Sequence, residues 1–455
     1  MLSTLLLLLF LPRATSTSEY IITSPDIKTF QAKLGTQITA LDAASGKGDW
    51  TAAVQLFQQT ISAVNGEAYT LQNVGKLNAG RDHQLFAAYY ESNDYAANFV
   101  SASLESKAPF LSLTTKMRSE LTMKGVVLQS VTMGVVNSLH SAVDACLEPP
   151  AAASKNLDSP SFVDLAWAMF SAKKAQIALG EKRCPQFDTC KAVGPPQDSK
   201  SIVNFHLLGY FQAALTHSRG GKCWLLQQQV DLIVSSLTIP VIQGMLREAY
   251  EVDPRADGVA DGLVEVCEGW GFAAAVLPRI ARCNATAGDI INANMNTVPF
   301  IASTAAGAKG VYMKDGFQAV VDAVESTFEC LGIQCSDVKS MVSPDTGHPL
   351  WQSCQHKIVG DDADGTISRK SYEVWRQVGI AFIVISIVMT TLLCFSIFCS
   401  SGESRVGGRR RGASELCAAP RAEPENPELH GSLVDNKGGP TEGGVTSMEV
   451  DMARV

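Results

Sequence analysis

The sequence predicts a mainly α-helical, two-lobed ectodomain carried on one transmembrane helix. Three observations point there. Residues 378–399 form an uncharged apolar run of 22 residues, about 33 Å long as a helix and so able to cross a hydrocarbon core of roughly 30 Å. Upstream of it, apolar residues recur at three- and four-residue spacing, and strand-like alternation is scarce. Two of these upstream segments also match one another in order, as the halves of a duplicated domain do.

In chain order, residues 1–16 read as a signal peptide. The run 2–12 is apolar but too short to span, and Ala14, Thr15 and Ser16 are small residues suited to cleavage. Residues 17–340 form the helical ectodomain. Residues 26–62 read as a helix pair turning at Ser45-Gly46-Lys47-Gly48, with Asp49 capping the second helix. A further helix spans 95–105, capped by Asn93 or Asp94. Helical spacing continues through Val135, Val136, Leu139 and Val143, and through Ile242, Met245, Leu246 and Ala249.

Those last two segments carry the repeat. The run 130–137 resembles 236–243 at an offset of 106 residues, and Trp167 with Phe170 is echoed by Trp270 with Phe272 at a Trp-to-Trp offset of 103. The repeat halves are then about 60–190 and 191–340.

Residues 341–377 are an acidic membrane-proximal linker. Asp362, Asp364 and Gly365 look like part of a calcium loop. With Gly365 at its sixth position, however, Gly360 and Ser371 stand where carboxylates are needed. Trp375 precedes the 378–399 span and Arg405, Arg409, Arg410 and Arg411 follow it, which puts the following side in the cytoplasm. Signal and span together predict a single-pass type I protein of the plasma membrane, with the bilayer as a partner through one helix. The tail 400–455 is rich in Gly, Pro, Ala and Glu and reads as disordered. It shows no strong sorting motif, so its endocytic partners are not legible.

A net charge of −8 and a pI near 5.5 argue against a nucleic-acid partner. Nine cysteines lie before the span, so at least one is unpaired within the chain. Cys184 with Cys190, and Cys330 with Cys335, are spaced for local disulfides in an oxidising compartment. Asn284-Ala285-Thr286 is a glycosylation sequon. No nucleophile elbow, zinc-protease motif, P-loop or dinucleotide fingerprint is present, so the sequence does not read as an enzyme.

Several side chains suit a hard cation. His140 and Asp144 are four apart on one helix. The 106-residue offset lays Tyr250 on Asp144 and Arg247 on Ser141. A carboxylate and a phenolate from equivalent helices suit ferric iron, which favours hard oxygen donors, and the planar fork of Arg247 suits carbonate. Glu265 and Glu268, three apart beside Trp270, would repel if buried unless a cation lay between them. In the competing reading His140 is a core residue, Arg247 pairs with Glu248 or Glu251, and the two glutamates form a solvated face. Asp82, His83, Tyr89, Tyr90, Asp94 and Tyr95 form a polar-aromatic cluster, in which the tyrosines read as packing residues rather than ligands and Asp94 as a cap.

The run 181–190, Glu-Lys-Arg-Cys-Pro-Gln-Phe-Asp-Thr-Cys, resembles a segment of the algal iron-assimilation (FEA-domain) proteins, the phytotransferrins. The runs 202–204, 239–250, 268–278, 292–295 and 330–338 resemble that family too, in the family's order and across most of the ectodomain. The resemblance implies a surface protein that captures ferric iron, with carbonate as synergistic anion, for uptake. The chain departs from the pattern at Ala142-Val143, at Lys173 and at Glu248, which replaces a tyrosine. The family places a small residue where Cys267 stands, which marks Cys267 as the unpaired thiol. Two other classes stay open: a metal-free receptor or adhesion ectodomain that binds a protein or glycan, and a surface hydrolase without a familiar motif.

Overall fold

Ser24 begins the first helix, α1 (Pro25–Gly46). Its side chain accepts from the Ile27 N–H at 3.4 Å, and Pro25 follows at the position where a missing N–H costs nothing. The chain turns through Gly48 (φ +75°), and Asp49 accepts from the Ala52 N–H at 3.1 Å to open α2 (Trp50–Gln58). This is the expected helix pair, but α2 stops four residues early. Residues beyond it form a hairpin, β1 (Thr60–Val64) with β2 (Glu67–Thr70), turned by Asn65-Gly66 at φ +52° and +84°. That dipeptide is the strongest short-range hairpin signal, and the helical reading of 26–62 ran past its approach.

The computed structural model describes residues 19–148, 157–192, 199–253, 263–296, 313–343 and 349–354. The expected signal peptide, most of the linker, the span and the tail lie outside them. The described part is mainly helical. After α3 (Arg81–Tyr89) and α4 (Tyr95–Glu105) comes a continuous rod: α5 (Thr115–Lys124), a π-helical stretch (Gly125–Val131) and α6 (Thr132–Leu147). Helix α7 (Ser159–Ser171) packs along α6.

The second half has α8 (Gln176–Arg183), a hairpin of β3 (Cys190–Ala192) with β4 (Ser199–Ser201), α9 (Ile202–Arg219), α10 (Cys223–Val252) and α11 (Leu263–Ala274). It finishes with α12 (Leu277–Cys283), α13 (Ala285–Met295), α14 (Phe317–Glu325), the short α15 (Phe328–Leu331) and α16 (Cys335–Val338), and a hairpin of β5 (Ser340–Val342) with β6 (Pro349–Gln352). The α5–α6 rod and α10 are apolar and long enough to cross a membrane, but both are mostly buried within the protein, as core helices are.

The two halves repeat one arrangement. A long helix is followed by a Trp-bearing helix packed on it: α6 then α7 with Trp167, and α10 then α11 with Trp270. Asn137 and Gln243, paired by the 106-residue offset, both use a buried amide to hold a distant backbone. Asn137 Nδ2 donates to the Gly75 carbonyl at 3.0 Å, and Gln243 Nε2 donates to the Val338 carbonyl at 3.1 Å. Helix α6 also packs on α10, so the halves share one contiguous hydrophobic core.

Four disulfides cross the described residues: Cys146–Cys223, Cys184–Cys190, Cys283–Cys330 and Cys335–Cys354. Cys184–Cys190 is the expected local bridge, and Cys267 is the free thiol among the described residues, buried in the core. The expected Cys330–Cys335 pair is corrected. Cys330 lies on α15, which packs against α12 and sets it 5.8 Å, Cα to Cα, from Cys283. After Gly332 turns the chain at φ +68°, Cys335 opens α16, 5.9 Å from Cys354 beyond β6. Both separations are within bridging range. This many disulfides fits a protein made in the secretory pathway.

Candidate functional site

Helices α10 and α11 form an antiparallel pair whose register is set by two glycines. A Cβ on Gly244 would come 2.4 Å from the Phe272 ring, and one on Gly269 would come 3.2 Å from the Glu248 Cβ. Continuing that register sets residues 250–252 level with 265–267. The pairing thus gathers four of the expected site residues, Arg247, Tyr250, Glu265 and Glu268, onto one helical hairpin.

Each has a different environment. Arg247 pairs with Glu251 through Nε and Nη2, one of the partners expected in the competing reading, while its Nη1 is buried with no partner among the described residues. The Glu265 Oε2 is likewise buried with no partner among the described residues. Tyr250 is partly buried, its ring edge-on to Phe317 at 5.4 Å. Glu268 is tied to a cation, its Oε2 lying 3.1 Å from Lys124 Nζ.

Lys124 anchors an interior charge cluster that sequence reasoning missed. It also bonds Glu120 at 3.1 Å, and its Nζ sits 5.0 Å from the Phe272 ring centroid. On that ring, too, lies the Arg183 guanidinium at 4.8 Å, whose Nη2 donates to Glu248 at 3.1 Å. Arg183 is only 2% exposed. Glu248 is therefore the internal counter-ion of Arg183 in the Lys-Arg-Cys segment. Burial pushes the Glu248 carboxyl up, and Arg183 opposes that push. Burial alone would also raise Glu268, but Lys124 and then Lys182 outweigh it and hold it below its usual value. The Cys267 thiol is pushed up to about 12 by burial, with Glu265 and Glu268 adding to it, so it is an inert core thiol. The signal for this cluster was present as Glu248 and Glu268 inside the apolar helices α10 and α11, since such charges are seldom fully buried without partners.

His140 and Asp144 lie elsewhere and part company. The His140 Nε2 sits 2.6 Å from Asp82 Oδ2, in the interior. Asp82 also meets Arg279 at 3.3 Å, and Arg279 donates to Thr238 Oγ1 at 3.0 Å. Burial would raise the Asp82 carboxyl, yet the His140 hydrogen bond and the Arg279 charge hold it well below the usual carboxylate range. His140 is thus a satisfied core histidine. Asp144 is exposed at a cavity bordered by the β1–β2 hairpin.

The aromatic cluster behaves as packing. Tyr90 and Tyr95 stack at 5.7 Å, Tyr90 donates to the Ala274 carbonyl at 2.6 Å, and Asp94 is the N-cap of α4, paired with Lys76. Asn284 caps α13, accepting from the Ala287 N–H at 3.2 Å, and its Nδ2 donates to Ser326 at 3.1 Å.

Among the described residues, no three His, Cys, Asp or Glu side chains converge closely enough to hold a metal ion. What the hairpin does offer is a buried unpartnered guanidinium nitrogen, suited to an oxyanion, and a buried unpartnered carboxylate oxygen, suited to a cation. No family model, no curated protein and no solved structure matches this chain.

Proposed function

We propose that the chain is a single-pass type I surface protein that binds ferric iron together with a carbonate-like anion at the α10–α11 hairpin. The observation that carries this reading is the pair of buried polar atoms, Arg247 Nη1 and Glu265 Oε2, without a partner among the described residues, on the hairpin that also bears Tyr250. A buried polar atom left without a partner costs about 1–3 kcal/mol, and a bound ion would remove that cost. Arg247 Nη1 would take the anion; Glu265 and the Tyr250 phenolate would take the metal. Glu268, already held by Lys124, would have to exchange that partner to join them. The equivalent helix pairs in the two halves support a duplicated ectodomain whose halves share one core, and the disulfides support an extracellular one.

The test is a ferric titration of the full-length chain in detergent, with and without bicarbonate. Stoichiometric iron with a visible tyrosinate band that disappears in Tyr250→Phe is the expected result. No retained iron in the wild type overturns the reading. A metal-free receptor or adhesion ectodomain is the second reading, favoured by the exposed Trp224 and Leu147.

A further inference from the structure

A cavity of about 590 Å³ opens between the β1–β2 hairpin, α6 and α7. Val64, Leu157 and Phe162 supply apolar walls, while Glu67, Asp144 and Glu148 supply charge. Among the described residues none of these three carboxylates has an ion-pair partner, and no Lys or Arg lines the cavity. The interior acids behave differently: Asp82, Glu248 and Glu268 are each matched to a cation. Among the described residues the charged side chains lining the cavity are therefore all acidic, set beside apolar walls.

That combination selects its ligand. A bare metal ion needs its donors to converge, and these carboxylates do not. A cationic head on an aliphatic stem fits both features, the stem on Phe162 and Leu157 and the head among the acids. The neighbouring surface points to a polypeptide as its source. Leu147, 65% exposed, adjoins Glu148 in sequence. Trp224, 66% exposed, follows Cys223, which is bridged to Cys146 with the Cα atoms 5.5 Å apart. Two exposed apolar residues held near one another by the Cys146–Cys223 bridge, one of them next in sequence to Glu148 of the cavity, give a partner both an apolar anchor and a charge match.

We propose that this face docks a basic polypeptide, with one Lys or Arg side chain in the cavity and an apolar residue over Leu147 and Trp224. It uses none of the residues assigned to iron or its anion, Arg247, Tyr250, Glu265 and Glu268, and stands apart from the iron reading. The experiment is fluorescence anisotropy of a labelled Lys-Tyr-Gly repeat peptide against the full-length chain in detergent, with empty micelles subtracted and spermidine as competitor. Saturable, salt-sensitive binding is expected, about tenfold weaker in Asp144→Asn/Glu148→Gln, since each lost rim charge pair contributes modestly. Trp224→Ser should weaken it several-fold, and spermidine should compete only weakly. Absence of binding, or binding unchanged in the double variant, overturns the proposal. Spermidine as tight as the peptide, with Trp224→Ser silent, also overturns it and leaves a free polyamine site. If the double variant does not fold, Glu67→Gln on the exposed hairpin replaces it, and unchanged binding there refutes the docking.

Discussion

Removing the Cys146–Cys223 bridge by a double alanine substitution should cost much more than removing Cys184–Cys190. The first closes a loop with a sequence separation of 77 and the second one of only 6. On the chain-entropy account the loss is about 15 cal/mol/K for the long loop, or about 4.5 kcal/mol at 25 °C, and about 2.2 kcal/mol for the short one. The long bridge also ties the end of α6 to the start of α10, the two equivalent helices of the halves, so its loss frees the shared core from one end. The measurement is urea unfolding of the full-length chain in detergent, followed by tryptophan fluorescence under non-reducing conditions, for both double variants and the parent. Midpoints should fall in the order parent, short-loop variant, long-loop variant, with unchanged slopes. Equal losses, or a larger loss for Cys184–Cys190, would refute the entropic argument and place the stabilisation in native contacts around the short loop instead.

Asp82→Asn should destabilise by about 3–5 kcal/mol, because it leaves Arg279 buried beside a neutral amide. Since the folded Asp82 carboxyl is depressed, the unfolded state binds more protons as acid is added. Its contribution is full above the ordinary aspartate range and is lost as pH falls below it, so Asp82→Asn should flatten the acid limb of a stability–pH curve. Gly244→Ala should cost ~1–3 kcal/mol by overpacking, since the added methyl lands 2.4 Å from the Phe272 ring; a neutral thermal shift would show that the α10–α11 register is slack. Cys267 should resist maleimide in the native protein and react only on unfolding, because it is buried with its thiol at about 12; rapid native labelling by mass spectrometry would contradict this.

Local chemistry was legible in the residues themselves. Helix class, the turn at Ser45–Gly48, the Asp49 cap, the paired long helices and the odd cysteine all follow from spacing and side-chain type, which act within a few residues of chain. The Asn65-Gly66 hairpin was legible too, and was overrun by reading helical periodicity through its approach. Partner choice across long separations was not legible. Whether Cys330 bonds Cys335 or Cys283 depends on how α12 and α15 pack, and spacing carries nothing about packing. The same holds for His140, whose partner Asp82 lies 58 residues away, and for Arg183, whose counter-ion Glu248 lies 65 away. A buried charge must be neutralised by whichever opposite charge the fold brings beside it. Tertiary structure alone made that assignment, and with it separated Asp144 at its open cavity from Arg247 and Glu265 on the α10–α11 hairpin.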